Sequence, residues 1–262
     1  MRFEQIRVSD HLKFFEKDFK MKWNLKDYKD PNKPAVFLGL YSDKDLKDFK
    51  KHKSKSVVIF GGGDLKPKTL KETQKIFIDK KSYTFGFPGE FSNILKSFNI
   101  PHEKFHLDIK NYSKFKPTPL GDKIYVYRGA KKKINPTYYK WDEVILPLIK
   151  EFGEERIIYT NLETIDNLIE NYYNKCFVYV KPTPKGGCTT MFELGMMGRK
   201  TIGVGHEKLG NFIEYKDIDD LIRLIKEESK YIGHIRYDVS EQTKNCFIGD
   251  DWLNLKFWEN KK

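Results

Sequence analysis

Short apolar runs that alternate with helix-forming segments are the strongest signal in this chain. Four apolar runs lie in the second half, at 123–127, 156–160, 176–180 and 201–204. Segments with apolar residues at helical spacing lie near 141–152, 162–172 and 217–228. Because strands that alternate with helices form parallel sheets, this half is predicted to be an α/β domain.

The first half shows the same alternation less regularly. Strands are predicted at 34–40 and 56–60, with a charged helix at 43–51 between them. Further candidates are a strand at 83–87, a helix at 90–98 and a last strand at 104–108. The segment 68–78 fits helix and strand equally well. This half is therefore also predicted to be α/β.

Two prolines and a glycine interrupt the pattern between the halves and indicate a linker at 116–122. We expect a first domain over 1–115 and a second over 123–262. The predicted fold class is α/β, with two compact Rossmann-like domains that face a cleft. The tail at 249–258 carries aromatic residues that must pack against one of these domains.

A loop rich in proline and glycine follows the predicted strand 176–180 and opens a helix that contains Glu193. Backbone N–H groups at a helix N-terminus, together with the helix dipole, favour an anion. The expected donors are Gly187, Cys188, Thr189 and Thr190, preceded by Gly186. A nearby carboxylate suits a ribose diol. The pattern predicts a nucleoside-diphosphate site, and an ordinary strand, loop and helix is the alternative.

This stretch resembles the donor-binding signature in the C-terminal domain of GT-B glycosyltransferases. Residues 123–133 resemble the first strand of that domain, where an Arg and a following Lys hold the donor pyrophosphate. The matching residues are Arg128 and one of Lys131, Lys132 and Lys133. Lys185 stands where many retaining members have a second Glu. This departure counts against the glycogen-synthase-like retaining branch, while the sequence as a whole does not distinguish inverting from retaining chemistry.

The resemblance implies a metal-independent hexosyltransferase whose donor is a nucleotide-diphosphate sugar, most readily a UDP-sugar, with no bound cofactor. The implied donor-binding residues are Arg128, Lys133, Gly186, Gly187, Cys188, Thr189, Thr190 and Glu193. It also implies a C-terminal helix that returns to the first domain. Other members of the fold are nucleotide-sugar epimerases, so epimerisation is an alternative.

Sugar transfer with inversion needs a general base for the acceptor hydroxyl. Asp64 follows three glycines at a predicted strand end and is the candidate; a turn or helix-cap role is the alternative. Asp43 and Asp45 open the helix at 43–51, where capping is favoured over a metal site. No metal-binding residues are predicted.

The formal net charge is +12 and comes mostly from scattered lysines. This charge reflects either genome composition or a polyanionic acceptor or acidic membrane surface. The acceptor is therefore predicted to be a glycan, a small molecule or modified DNA, as in phage-type DNA glucosyltransferases of the GT-B plan. A non-catalytic nucleic-acid or polyanion binder is the remaining alternative.

Three cysteines without metal-ligand spacing fit a reducing compartment, so we expect a cytoplasmic protein. No apolar run approaches the ~20 residues needed to cross a bilayer. The first residues lack the apolar core of a signal peptide.

Overall fold

The structure is a computed structural model that describes residues 2–80, 83–86, 90–104, 106–108, 110–127, 140–160, 163–183, 189–205 and 210–259. The chain forms two compact units. One unit comprises Met1–Asn111 with Phe247–Lys262, and the other comprises Tyr112–Cys246. The boundary thus falls before Tyr112 rather than at the predicted linker 116–122.

The first unit is built on six parallel strands in the order β2-β1-β3-β4-β5-β6. The strands are β1 Gln5–Val8, β2 Lys26–Asp27, β3 Ala35–Leu38, β4 Ser56–Ile59, β5 Tyr83–Gly86 and β6 Glu103–Lys104. The α-helices are α1 Glu16–Trp23, α2 Asp43–Lys51, α3 Pro67–Lys80 and α4 Glu90–Ser97. A 3-10 helix over Asp10–Phe15 leads into α1. The predicted α/β class is confirmed for this half.

Alternating residues of the central strands build two separate cores in the first unit, because successive side chains point to opposite faces of a sheet. Val36 and Leu38 of β3 pack in one core, together with Phe19 and Trp23 of α1. Phe37 of the same strand packs in the other core, which includes residues of α2, α3 and α4. Both faces are therefore covered, as parallel sheets require.

The C-terminal segment completes the core that contains α1. It forms a 3-10 helix at Asp250–Leu253 and the short helix α10 at Leu255–Glu259. Trp252 is fully buried, and its ring lies edge-on to that of Trp23 at 5.4 Å between centroids. Trp258 donates a 2.7 Å hydrogen bond to the carbonyl of Trp252. The aromatic tail is thus part of the first unit.

The second unit holds five parallel strands in the order β11-β10-β9-β7-β8. They are β7 Lys123–Tyr127, β8 Ile157–Thr160, β9 Cys176–Lys181, β10 Lys200–Gly203 and β11 Phe212–Glu214. The α-helices are α5 Leu146–Phe152, α6 Ile165–Leu168, α7 Thr189–Met196, α8 Ile218–Ser229 and α9 Tyr237–Lys244. Single π-turns cover Trp141–Ile145 and Ile169–Tyr173, and a 3-10 turn covers Glu154–Arg156.

The two faces of the second sheet differ in polarity. One face presents Ile124, Val178 and Ile202 to an apolar core shared with α5 and α8. The opposite face presents Tyr125 and Tyr179, whose rings lie 5.4 Å apart. Because polar groups are costly to bury unless they are hydrogen-bonded, the tyrosine hydroxyls on this face need partners.

The segment predicted as a linker packs on the second unit. Leu120 is buried and its N–H donates to the carbonyl of His234. Gly121 lies so close to Lys175 that a Cβ there would sit 2.1 Å from the carbonyl oxygen. Earlier in the segment, the ring of Tyr112 lies 6.4 Å from that of Phe192 and the ring of Phe115 lies 6.4 Å from that of Tyr173, so the unit begins at Tyr112 instead of after the prolines.

No helix in the described ranges is both long and apolar enough to cross a membrane.

Candidate functional site

The central strands of the second unit end together at one edge of the sheet. Lys181, the last residue of β9, pairs with Gly203, the last residue of β10. The helix α7 begins at Thr189, after the loop that follows β9. In open parallel sheets, ligands bind at the carboxyl ends of the strands. This edge is therefore the candidate ligand site of the second unit.

Several predicted donor-site residues lie outside the described residues: Arg128, Lys133, Gly186, Gly187 and Cys188. Lys131, Lys132, Lys185 and His206 lie outside them as well. Thr189 and Thr190 open α7 and are half-buried, and Glu193 is buried on the same helix. The described part of the predicted site is thus concentrated on α7.

The carboxylate of Glu193 accepts a hydrogen bond from a tyrosine that the sequence pattern did not indicate. The hydroxyl of Tyr173 donates a 2.6 Å hydrogen bond to Oε2 of Glu193. Both side chains are buried, with Tyr173 only 1% exposed. Tyr173 ends a π-turn, a feature that often marks functional positions. The hydrogen bond fixes the rotamer of Glu193 beside the N-terminal half of α7.

Tyr173 remains a hydrogen-bond donor at neutral pH. Burial, followed by the negative charge of Glu193, raises the pKa of its phenol well above the ordinary value. Burial also raises the pKa of the neighbouring Tyr125, whose hydroxyl shares a 2.8 Å hydrogen bond with that of Thr160. The Tyr125 and Tyr173 rings meet edge-on at 5.3 Å. The result is a connected layer of neutral hydroxyls beneath Glu193.

Arg199 stabilises the backbone next to this layer. Its side chain is fully buried, and its guanidinium donates to the carbonyls of Tyr173 at 3.1 Å and Cys176 at 3.3 Å. It also donates to Thr118 at 3.1 Å and Pro119 at 2.8 Å. Planar guanidinium groups can hold several acceptors at once. Arg199 therefore locks the backbone that carries the Tyr173 side chain.

Lys181 places a positive charge at the carboxyl edge of the second sheet. The residue is 4% exposed, and its ammonium donates a 2.6 Å hydrogen bond to the carbonyl of Thr183. A lysine is seldom this deeply buried unless it is paired or bound to an anion. Only its position at the end of an apolar run could have marked it in the sequence.

Asp64, the predicted base, lies at the carboxyl edge of the first sheet. It is 1% exposed, and its carboxylate accepts N–H groups from Leu40 at 2.9 Å, Gly61 at 3.0 Å and Gly62 at 2.9 Å. Burial raises the pKa of this carboxyl to about 6, although the backbone hydrogen bonds oppose the shift. This geometry matches the turn role given above as the alternative.

An exposed histidine lies at the carboxyl edge of the first sheet. His11 follows β1 and stacks on Tyr41, with 4.9 Å between ring centroids and 10° between planes. Tyr41 in turn covers Gly39, Gly61 and Gly63, where a Cβ would meet its ring or hydroxyl at 2.4–2.9 Å. No sequence signal marks His11, because the strand that precedes it is not an apolar run.

Asp45, one of the two aspartates in the first turn of α2, takes part in a helix cap. Ser42 and Asp45 form a reciprocal capping box. Oδ2 of Asp45 also accepts the hydroxyl of Ser9 at 2.8 Å, and Oδ1 pairs with Arg7 at 3.1 Å. Within the described ranges, no cluster of three or more His, Cys, Asp and Glu side chains is arranged to hold a metal ion.

No protein-family model matches the chain. No curated protein matches it in sequence either. Solved structures do resemble it. Sucrose-phosphate synthase from Thermosynechococcus elongatus aligns over 95% of this chain and 76% of its own, with 12% identity and a TM-score of 0.54.

Two further structures show the same likeness. A glycosyltransferase from Rickettsia africae aligns over 95% of this chain and 79% of its own, with 11% identity and a TM-score of 0.57. The α,α-trehalose 6-phosphate synthase from Burkholderia multivorans aligns over 94% and 81%, with 9% identity and a TM-score of 0.50. The fold is therefore the GT-B fold with two Rossmann-like domains, and the predicted resemblance is confirmed at the level of fold.

Proposed function

We propose that this protein is a glycosyltransferase that moves a hexosyl group from a nucleotide-diphosphate sugar to an acceptor hydroxyl, without a bound metal or cofactor. The observation that carries the proposal is the buried Glu193, fixed by Tyr173 on the helix that opens at the strand edge. A carboxylate held in this way can accept a hydroxyl of a ribose, as an acidic residue accepts the 2′-hydroxyl in dinucleotide-binding folds.

The positive groups of the second unit suit the leaving diphosphate. Negative charge develops on this leaving group during transfer and is stabilised by preorganised donors. Lys181 and the N-terminus of α7 are such donors, and we assign Arg128, Lys133 and the loop Gly186, Gly187 and Cys188 to the same task. Thr189 and Thr190 complete the mouth of the helix.

We assign the general base to His11 in preference to Asp64. A base must reach the acceptor hydroxyl, and His11 is exposed at a strand end whereas the Asp64 carboxylate is enclosed by three backbone donors. An imidazole ring nitrogen can accept the proton of an attacking hydroxyl, which is the task of a general base. The His11→Ala variant should retain nucleotide binding and lose transfer.

We further propose UDP-glucose-type donors and an anionic acceptor, either a phosphorylated glycan or DNA. The net charge of +12 supports an anionic acceptor, because opposite charge raises the rate of encounter. The free thiols of Cys176 and Cys246 are consistent with a reaction in the reducing cytoplasm.

A thermal-shift screen tests the donor proposal. The purified protein is heated with UDP, GDP, ADP and their sugar conjugates, in a chelating buffer. A ligand that binds the native state raises the midpoint, by an amount that grows with the logarithm of its concentration relative to its Kd. We expect one nucleoside diphosphate to raise it clearly, and slow hydrolysis of the matching sugar nucleotide. No shift with any of them, alongside a shift with duplex DNA, would favour the polyanion-binding alternative.

A further inference from the structure

A large part of the positive charge of the chain lies in one short stretch of the first unit. Between residues 42 and 76 the sequence holds ten lysines but only five aspartates and glutamates, an excess of five out of the net charge of +12. This stretch contains α2 and the first ten residues of α3. Leu46 of α2 and Leu70 of α3 are buried in the same core, so the two helices cover the same face of the sheet.

Three of the five carboxylates in this stretch do not neutralise its lysines. Asp45 and Asp64 are buried, each with 1% of its surface exposed. Asp48 pairs with Arg7, which lies on β1, at 2.9 Å. The same arginine pairs with Asp45 at 3.1 Å. These acidic groups therefore belong to the interior and to the contact between α2 and β1.

The two remaining carboxylates account for two lysines. Oε2 of Glu72 lies 2.7 Å from the ammonium of Lys50, in a contact that joins α2 to α3. Oδ1 of Asp43 lies 4.0 Å from the ammonium of Lys68. The surface of the two helices consequently carries a net positive charge even after every carboxylate of the stretch has been assigned.

The exposed lysines of α2 and α3 form two rows, which we call the lysine face. Each row has the spacing i, i+3 and i+7, which places its members on one side of a helix. The rows are Lys44, Lys47 and Lys51 on α2, and Lys68, Lys71 and Lys75 on α3. Within the described part of the chain, Lys47, Lys51 and Lys71 have no carboxylate partner. A groove of about 310 Å³ lies beside them and is lined by Asp43, Leu46, Lys47, Lys50, Lys51 and Glu72.

We propose that the lysine face binds the phosphate backbone of duplex DNA. Packed helices lie about 8–10 Å apart, a separation between the widths of the two grooves of B-DNA, about 6 and 12 Å. Two rows of ammonium groups at this separation can therefore contact the two strands that border one groove. Each phosphate that a lysine neutralises releases condensed counterions, which drives binding at low salt.

The composition of the lysine face favours duplex DNA over other anionic partners. None of the large apolar side chains that are exposed in the described ranges lies between residues 42 and 76. Single strands are held by aromatic rings on which their bases stack, and a bilayer surface is held by an apolar edge that enters it. A duplex needs neither, because its bases are enclosed and its phosphates lie outside.

The lysine face begins at the carboxyl edge of the first sheet. The helices α2 and α3 follow β3 and β4, so their first turns lie at the edge where His11 also lies. A duplex bound there would be placed beside the assigned general base. The role of this duplex as the acceptor rests on the proposed transferase function, whereas its binding to the lysine face does not.

Fluorescence anisotropy of a short labelled duplex of mixed sequence tests the proposal on the full chain, without sugar nucleotide and over a series of salt concentrations. We expect tight binding at low salt that weakens linearly on a logarithmic scale. The triple variant Lys47→Gln/Lys51→Gln/Lys71→Gln should lower the magnitude of this slope by about two to three and weaken binding about tenfold or more. An unchanged thermal midpoint shows that the variant is folded.

A matched control removes the same charge from the second unit. Lys216, Lys230 and Lys244 are exposed there, so Lys216→Gln/Lys230→Gln/Lys244→Gln changes the net charge equally and should keep wild-type affinity. Equal losses in the two triple variants would overturn the proposal, because only the total charge would matter. No duplex binding at low salt, tighter binding of the single strand, or binding of heparin in place of the duplex would overturn it as well.

This experiment and the nucleotide screen fail independently. A thermal shift with a nucleoside diphosphate but no duplex binding would remove the lysine face and leave the transferase proposal. Duplex binding that depends on Lys47, Lys51 and Lys71, without any nucleotide shift, would support the lysine face and remove the transferase proposal.

Discussion

At the scale of single residues, burial of Asp64 makes the free energy of unfolding depend on pH. Its pKa rises from 3.8 to about 6 on burial, so between these values the folded protein binds more protons than the unfolded chain. The free energy of unfolding must then fall as pH rises through this window and level off above it. Ionisation of the buried Asp64 therefore lowers the free energy of unfolding, and this group favours the folded state most at the acid end of the window, where it is protonated.

We predict that Asp64→Asn removes this pH dependence, because the amide does not titrate. The free energy of unfolding of the wild type should fall by on the order of 2–3 kcal/mol between about pH 4 and 6, and the variant should lack that fall. Urea denaturation at a series of pH values measures both. The exposed Asp219→Asn is the control and should keep the wild-type slope. Parallel curves for wild type and Asp64→Asn would contradict the assignment.

The hydrogen bond from Tyr173 to Glu193 gives a second prediction at the scale of single residues. The Tyr173→Phe variant removes the donor to Glu193, and a lost hydrogen bond to a buried charged group costs about 1–3 kcal/mol. We expect weaker binding of the nucleoside diphosphate, by about tenfold, in a calorimetric titration. Tyr172→Phe on the same π-turn is the matched control. Equal affinity of both variants would show that Tyr173 does not position the carboxylate.

At the scale of elements, the close approach of α7 and α9 depends on Gly195. A Cβ at this position would lie 2.4 Å from Oγ1 of Thr243 and 2.5 Å from Nδ2 of Asn211. Asn211 cannot withdraw without loss, since its amide donates a 2.7 Å hydrogen bond to the carbonyl of Met191. The helix α7, which carries Glu193, can therefore pack this closely on α9 only because residue 195 has no side chain.

We predict that Gly195→Ala destabilises the protein by about 1–3 kcal/mol, the usual cost of overpacking. It should also weaken nucleotide binding, since α7 must shift. The urea midpoint and a nucleotide titration check the two effects. Gly249→Ala, where no atom lies within 4 Å of the added methyl group, is the control. An unchanged urea midpoint in Gly195→Ala would contradict this prediction, because α7 would then move without a loss of stability.

The elements of the second unit could be predicted because each strand is an apolar run of its own. The prediction for β7 matched in full, those for β8 and β9 differed by one residue at one end, and that for β10 was shifted by one residue, whereas β11 was not predicted. The first strand, Gln5–Val8, was not predicted because it has only four residues, of which two are apolar, and contains Arg7. That arginine is tolerated at the sheet because it pairs with Asp45 and Asp48. An ion pair between residues that are far apart in the sequence cannot be recognised from a local pattern.

The candidate site was predictable only in part. The position of Glu193 on a helix behind a glycine loop follows from local spacing. Tyr173 and Arg199 escaped notice because their roles depend on residues from separate strands and turns that meet only in the fold. The same is true of His11, whose stacking on Tyr41 joins the ends of two strands. Side chains brought together by topology leave no periodic signal.

At the scale of the whole molecule, the C-terminal segment forms part of the hydrophobic core of the first unit. Trp252 packs on both Phe19 and Trp23 of α1, at 6.2 and 5.4 Å between ring centroids. We predict that Trp252→Ala costs about 3–5 kcal/mol, the usual penalty for a buried aromatic. Hydrogen exchange should show lost protection in β1 and β3, whereas β9 keeps its protection. The exposed Lys256→Ala is the control, and uniform loss over both sheets would contradict the two-unit division.

The central claim is that Glu193 binds the ribose of a nucleoside diphosphate, and calorimetry tests it most directly. The nucleotide selected by the thermal-shift screen is titrated into wild type and Glu193→Gln, together with its 2′-deoxy and 3′-deoxy analogues. We expect the substitution to lower affinity for the ribonucleotide by about tenfold to a hundredfold, and to have little effect on the analogue that lacks the contacted hydroxyl. Equal losses with ribonucleotide and both analogues, or none at all, would contradict the claim.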